Sequence, residues 1–496
     1  MNGQTLTLDQ IRDFKGKYPK QLWYLFGTEM WERFCFYGMR GMLTVFMVTQ
    51  LHLDDKAANL QYGAIQAFVY AFTFIGGVFA DKILGFQKSL FWGATLMILG
   101  GLVIAFSPEK LFYIGICFSI IGTGFFKPNI STMVGQLYHE NDSRRDAGFS
   151  LFYAGINLGA LLGGILMVYV GKYYSWSMAF GLVAVVMVIS LINFGFRRKS
   201  FGPIGLSPLA ARGVTPSRQR TLEIATYVGS LLVLPLILLM VTNTRYTDLF
   251  MYIIGPATLV YLAWEMRKFT RAENRRLGAA IVFILFSILF WAFFEQSGGS
   301  LSLFALNNLH GTFFGIPMDP NAVNNSANSL FVIAFAALVG LLWVWLSKRK
   351  LEPNSVVKFG LGFLLLAVAF YVFYATLFFA DADGVTSLEI FTLGYFVITF
   401  GELCLSPIGL SLMTKLSPQS IQGLMMGMWF LASAYGQYVA GLLGAGMSSA
   451  DPNASNVAKL MAYTDGYLQL GIYALVAGVV LIAISPLVRK LMHGIH

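Results

Sequence analysis

Glu29-Met30-Trp31-Glu32-Arg33-Phe34-Cys35-Phe36-Tyr37-Gly38-Met39-Arg40 places four charged residues inside an otherwise apolar segment. The surrounding run, from Leu22 to Leu51, is long enough to cross a bilayer, which takes about 20 helical residues at a rise of about 1.5 Å each. On a helix, residues three, four or seven apart share a face, so Glu29, Glu32, Arg33, Phe36, Tyr37 and Arg40 form one stripe. A charged side chain at the centre of a membrane helix costs roughly 2.5–3.5 kcal/mol to insert, so four unpaired charges would cost on the order of 10 kcal/mol. The stripe therefore cannot face lipid. Arg33 has local partners in Glu29, one turn away, and in neighbouring Glu32, whereas Arg40 needs one from another helix. The pattern predicts a polar cavity inside a bundle of membrane helices.

Composition extends this reading to the whole chain. With 57% hydrophobic and only 12% charged residues over 496 positions, the sequence is that of an all-α, multi-pass membrane protein. The net charge of +10 does not point to nucleic acid, because the basic residues are confined to short connections between apolar spans, where orientation signals belong. Cys35, Cys117 and Cys404 each lie within an apolar span, where a thiol serves as a small packing group, so no disulfide framework is expected. The first 20 residues are polar and carry Arg12, Lys15, Lys17 and Lys20, a pattern without the apolar core of a removable signal peptide.

Apolar runs bounded by charge, Pro or Gly clusters predict spans near 22–50, 60–84, 88–107, 110–137, 145–172 and 176–197. A polar connection follows, then a pair of spans near 221–241 and 247–267. A second set of six runs near 276–306, 328–347, 356–379, 387–414, 419–446 and 464–489. The expected organisation is 6+2+6, fourteen transmembrane helices, with a first bundle over 1–200, a linker and inserted hairpin over 201–270, and a second bundle over 271–496. Charge asymmetry supports the count. With both termini cytoplasmic, 26 of the 34 Lys and Arg residues fall on inner segments, 5 on outer ones, and Arg33, Arg40 and Lys127 within the membrane.

Beyond the first helix, intramembrane charge is sparse. Lys127 lies in Gly122-Thr-Gly-Phe-Phe-Lys-Pro-Asn129, Glu295 in Phe290-Trp-Ala-Phe-Phe-Glu-Gln-Ser297, and Glu402 in Gly401-Glu-Leu-Cys-Leu-Ser-Pro407. Three cations thus face four carboxylates, and in a dry cavity one carboxylate is left to take a proton, as proton coupling requires. The cations belong to the first bundle, while Glu295 and Glu402 belong to the second. That division suits a small zwitterion whose carboxylate meets Arg40 and Lys127 and whose ammonium meets Glu402. Glu402, close to Ser406 and Pro407, is the expected ammonium partner. Glu295 follows four residues of which three are aromatic, and is the expected proton acceptor unless a cation such as Arg40 reaches it. A purely structural role for all these charges is disfavoured, because polar contacts between membrane helices average only about 0.6 kcal/mol. An enzyme is not indicated: there is no His-Glu-x-x-His zinc helix, phosphate loop or Ser nucleophile elbow, and no metal or cofactor site is expected.

Gly76-Gly77-Val-Phe-Ala-Asp81-Lys82-Ile-Leu-Gly85 closes the second span on the cytoplasmic side and resembles the loop signature of the major facilitator superfamily, with Asp81 in a gating role. The first-helix motif quoted above is similar over its whole length to that of the proton-dependent oligopeptide transporter family within that superfamily. Phe149-Ser-Leu-Phe-Tyr153-Ala-Gly-Ile-Asn157-Leu-Gly159-Ala resembles its fifth-helix signature, and the segments around Lys127, Glu295 and Glu402 fit the same family at the expected places. The resemblance covers the whole chain. It implies a bacterial-type symporter of the cell inner membrane that imports di- and tripeptides with protons by alternating access, with the proton gradient as driving force and no cofactor.

On that resemblance, Glu29, Glu32, Arg33, Lys127 and Glu295 couple protons. The peptide site comprises Arg33, Tyr37, Arg40, Tyr70, Lys127, Tyr153 and Asn157 from the first half, and Glu295, Asn328, Glu402 and Trp429 from the second. Three features depart from the family pattern. The tandem aromatic pair is Phe36-Tyr37 where two tyrosines are usual, Ser329 follows Asn328 where Pro is frequent, and no His lies in any span, so proton transfer rests on carboxylates. Two alternatives stay open at this point: a symporter of the same family with another cargo, such as nitrate or a small organic ion, and a membrane receptor that uses the cavity for binding. The intact Glu29-Glu32-Arg33 set argues against nitrate.

Overall fold

The computed structural model describes residues 6–139, 142–405, 409–449, 451 and 453–492. A short helix α1 (Leu8–Arg12) precedes α2 (Lys20–Thr49), which carries the charged stripe. Next come α3 (Asp55–Phe79), α4 (Phe86–Phe106), α5 (Pro108–Gln136), α6 (Arg145–Tyr173) and α7 (Trp176–Arg197). The inserted segment forms α8 (Pro216–Leu232), α9 (Leu234–Thr242) and α10 (Thr244–Glu265). The remainder is α11 (Arg271–Phe294), α12 (Ser300–Asn308), α13 (Pro320–Lys348), α14 (Ser355–Ala375), α15 (Leu388–Leu405), α16 (Gly409–Leu416), α17 (Gln422–Met447) and α18 (Asn456–Met492). Among the described residues, twelve helices are long and apolar enough to cross a membrane, with α8 and α9 counted as one span and α11 and α12 as another. The long helices α2, of 30 residues, and α17, of 26, are less apolar; with them the count fits the fourteen expected. Only 17% of the most apolar stretch is buried in α10 and in α13, so these helices turn apolar side chains outward as lipid-facing helices do.

Local sequence sets the helix ends. Thr270 and Glu273 form a reciprocal capping box at α11, Asp319 accepts from the Ala322 N–H ahead of Pro320 at α13, and Asn354 accepts from the N–H groups of Val356 and Val357 at α14. Two expected spans are interrupted. The span expected over 276–306 breaks at a 3₁₀ turn, Glu295–Gly298, and at Gly299, whose φ of −106° and ψ of −107° lie outside the helical region; Gly298 and Gly299 lie against Tyr62 and Asn59, where a Cβ at either would collide. The span expected over 221–241 breaks between α8 and α9 at Val233, two residues before Pro235, which has no N–H to continue the ladder.

Contacts divide the chain into two compact units, Met1–Met42 with Phe68–Thr242, and Leu43–Ala67 with Asn243–His496. In the first, α4 and α5 approach through small residues: a Cβ on Gly122 would come within 2.7 Å of the Gly93 carbonyl, and one on Gly100 within 2.6 Å of the Gly115 carbonyl. Gly159 and Gly163 of α6 lie in the same way against the backbone carbonyls of Met30 and Phe34, which presses α6 onto the charged motif of α2. The polar connection after α7 is built in. Phe201, Ile204 and Leu209 are buried, Gln87 Nε2 donates to the Ile204 carbonyl at 2.6 Å, and Arg198 Nε donates to Gln87 Oε1 at 2.8 Å. Helix α8 is held to α4 by the Lys88–Glu223 ion pair at 2.5 Å and by Trp92 Nε1 donating to Ser230 Oγ at 3.0 Å.

In the second unit, the first half of α3 docks on α17 and α18. The Tyr463 hydroxyl donates to Asp55 Oδ2 at 2.9 Å, Asn59 Nδ2 donates to Ser448 Oγ at 3.2 Å, and Gly63 meets Gly441 backbone to backbone. Helix α10 joins this unit through the Tyr438 hydroxyl, which donates to Asp248 Oδ1 at 2.6 Å. The contacts of the inserted helices are therefore shared out, α8 in the first unit and α10 in the second.

Candidate functional site

The stripe predicted on α2 is real, and its core is buried. Glu29, Glu32 and Arg33 are 1%, 0% and 1% exposed. Arg33 Nε lies 3.1 Å from Glu29 Oε1 and also pairs with Glu32. These are charge contacts more than well-formed hydrogen bonds: Glu29 Oε2 and both oxygens of Glu32 have no hydrogen-bond partner among the described residues. Two carboxylates thus share one guanidinium with acceptor capacity to spare, a place where a proton or a water is stabilised.

Phe36, on the same stripe, is buried and faces two cations, with the Arg33 guanidinium 5.0 Å and the Lys127 ammonium 5.9 Å from its ring centre. Lys127 also stands 4.4 Å over the ring of Tyr70, and Arg40 stands 5.8 Å over that of Tyr37. Tyr37, Arg40, Tyr70, Lys127 and Tyr153 are all partly exposed, unlike the trio beneath them. Asn157 turns its amide onto its own helix, donating to the Tyr153 carbonyl at 3.0 Å. The first unit therefore gathers a buried acidic trio, an aromatic layer and two more accessible cations.

In the second unit, Asn328 Nδ2 donates to Glu402 Oε2 at 2.9 Å and lies 3.1 Å from Thr399 Oγ1. This bond pairs two of the expected site residues across α13 and α15, with Ser329 in place following Asn328. Glu402 is partly exposed, while Glu295 is only 4% exposed and sits at the break between α11 and α12. Trp429 lies on α17, partly buried. Asp81 is exposed on the π-helical turn Ala80–Leu84 that ends at Gly85, whose φ of +76° suits glycine. Ser406 and Pro407, named above as neighbours of Glu402, lie outside the described residues.

The reading of the sequence missed the polar frame behind Glu402 and Glu295. The Tyr395 hydroxyl donates to Asn324 Oδ1 at 2.6 Å, and Asn324 Nδ2 donates to the Ser297 carbonyl at 2.8 Å. Gln296 Nε2 donates to the carbonyls of Ala292 and Ala440, at 3.0 and 3.1 Å, and so ties the broken helix to α17. A signal was present: Asn321, Asn324, Asn325 and Asn328 repeat at helical spacing on one membrane helix, which needs a polar surface to face. Among the described residues, no group of three or more His, Cys, Asp or Glu is placed to hold a metal ion.

Comparison with known proteins fits this architecture. The model of the POT family, PTR2, matches residues 87–460. The chain is 33% identical to the peptide transporter YePEPT of Yersinia enterocolitica over 506 aligned positions, covering 97% of each chain. It is 31% identical to a di-/tripeptide transporter of Lactococcus lactis subsp. lactis, covering 96% of this chain and 97% of that one. A crystal structure of peptide transporter POT, a mutant form in complex with alafosfalin, aligns with a TM-score of 0.84 at 32% identity, covering 99% of this chain and all of the other. The fold is that of the major facilitator superfamily, and with a family match over most of its length this multi-pass membrane protein belongs to the POT family of transporters.

Proposed function

We propose that this chain is a proton-coupled symporter that imports di- and tripeptides across the bacterial inner membrane by alternating access. The observation that carries the reading is the trio Glu29, Glu32 and Arg33, buried together with carboxylate oxygens that lack hydrogen-bond partners. A site with that surplus acceptor capacity gains most from a proton that arrives and leaves with the cargo. The substrate class follows from relatives named as peptide and di-/tripeptide transporters. Arg40 and Lys127 take the peptide carboxylate, and Arg33, Tyr37, Tyr70, Tyr153 and Asn157 complete that half of the binding surface. Glu402, steadied by Asn328, takes the ammonium. Trp429 bounds the side chains, Glu295 joins Glu29, Glu32, Arg33 and Lys127 in proton coupling, and Asp81 belongs to the gate. The proton gradient is the only driving agent and no cofactor takes part.

The test is transport by the Glu32→Gln variant in proteoliposomes. Uptake driven by a pH gradient should be abolished, while exchange of labelled for unlabelled peptide, which needs no net proton movement, should persist. Normal gradient-driven uptake would show that Glu32 does not couple protons.

A further inference from the structure

A cavity of about 550 Å³ lies where the start of α14 meets the end of α18, and its lining includes Glu352, Asn354, Ser355, Lys358, Arg489 and Met492. None of these residues belongs to the transport site. The ionisable groups are two cations and one carboxylate. Lys358 Nζ donates to Glu352 Oε1 at 2.5 Å, and that bond holds the Glu352 carboxyl below its ordinary range, so the pair is neutral overall. Arg489, exposed on the last turn of α18, makes no hydrogen bond or ion pair among the described residues, and its charge is uncompensated.

The remaining polar side chains of the lining are those of Asn354 and Ser355. Asn354 accepts from the N–H groups of Val356 and Val357, which leaves Ser355, the first residue of α14, with its hydroxyl and its N–H to offer. Leu351, one residue before the lining residue Glu352 in the loop that leads into α14, is 64% exposed. The end of α13 and the loop after it carry Lys348, Arg349 and Lys350, the charge pattern of an inner membrane face.

We propose that this cavity binds the phosphate of a membrane phospholipid headgroup. Arg489 is its direct counter-charge, Ser355 a hydrogen-bond donor to it, and Lys358 is shared between the phosphate and Glu352, while Leu351 meets the first methylenes of an acyl chain. Basic pockets at the cytoplasmic ends of membrane helices suit anionic headgroups, and each cation near such a surface contributes about 1 kcal/mol, or about five-fold in affinity. The chemistry requires one phosphate anion joined to an apolar body.

The experiment titrates purified full-length protein in detergent with phosphatidylglycerol and, separately, with sn-glycerol 3-phosphate and inorganic phosphate, reading bound lipid by native mass spectrometry and the thermal unfolding midpoint. Phosphatidylglycerol should bind saturably, and Arg489→Gln should weaken it about five-fold while Lys350→Gln, in the adjacent loop, leaves it unchanged. Glu352→Gln releases Lys358 from its partner and should tighten binding, an effect of opposite sign that a folding defect cannot imitate. Equal weakening by Arg489→Gln and Lys350→Gln would reduce the effect to general surface charge and overturn the proposal. Binding of the soluble phosphates as tightly as the lipid would overturn the phospholipid assignment, and so would a lipid affinity that Arg489→Gln leaves intact.

Discussion

Removing the two carboxylates of the trio singly and together tests whether Glu29, Glu32 and Arg33 act as one electrostatic unit. Arg33 is 1% exposed and lies against both acids, with Glu29 at 3.1 Å. Two negative charges against one positive leave an excess of one. Glu29→Gln or Glu32→Gln removes that excess and still leaves Arg33 a carboxylate, so each change should cost only about 1 kcal/mol, the scale of one altered hydrogen bond. The double variant strands a buried guanidinium. Breaking a buried pair in that way costs about 3–5 kcal/mol, so the double change should exceed the sum of the single ones by about 1–3 kcal/mol. Equilibrium unfolding of the parent, both single variants and the double variant in one mixed-micelle system gives the cycle directly. If the single effects add to within about 0.5 kcal/mol, Arg33 is neutralised elsewhere and the trio is not a unit.

Asn328→Ala removes the donor to Glu402 Oε2 at 2.9 Å, a hydrogen bond to a charged group of the kind that contributes about 1.5–3 kcal/mol. Competition of labelled dipeptide uptake should show affinity falling about ten- to hundred-fold for peptides with a free amine and much less for N-acetylated ones; equal losses for both would detach Glu402 from the ammonium. On the loop between α5 and α6, hydrogen bonds from Arg144 hold the Asp142 carboxyl down at about 2, while Arg144 Nη1 also donates to the carbonyls of Phe14 and Gly16, each at 3.1 Å. Because the folded value lies below the ordinary one of about 3.9, the stabilisation is complete above that pH and is lost as pH falls towards 2. Hydrogen exchange in residues 6–18 should therefore rise between pH 4 and 2 more steeply in the parent than in Asp142→Asn, which should exchange fast already at neutral pH; matching profiles would show that this carboxylate does not anchor the segment.

What the sequence made legible follows from which forces act locally. Membrane spans are set by hydropathy within one segment, and the trio by the three- and four-residue spacing of a single helix, so both could be read without knowing any neighbour. The break at Glu295 could not. Ser297, Gly298 and Gly299 do not by themselves fix a break, and only the fold shows that Gly298 and Gly299 leave room for Tyr62 and Asn59 of another segment. The Asn328–Glu402 bond likewise joins residues 74 positions apart, and only the packing of α13 on α15 decides that the two meet. The connection after α7 read as polar and loose because its Pro, Gly, Ser and Arg content is that of a linker. Its order comes from distant partners, among them Gln87, which serves both Ile204 and Arg198, and Ile83, whose carbonyl accepts from Ser207.

Phe36 shows how a departure from a motif can be judged once neighbours are known. Read in one dimension, Phe in place of the usual Tyr is the loss of a hydroxyl, and with it a contact to cargo. In the folded chain the ring is buried, with Arg33 and Lys127 both within 6 Å of its centre, and a cation over an aromatic face gains about 0.5–2 kcal/mol whether or not the ring bears a hydroxyl. The part of the residue that holds the charge cluster together is thus retained. The substitution therefore keeps the electrostatic role of the position and gives up only its capacity to donate a hydrogen bond.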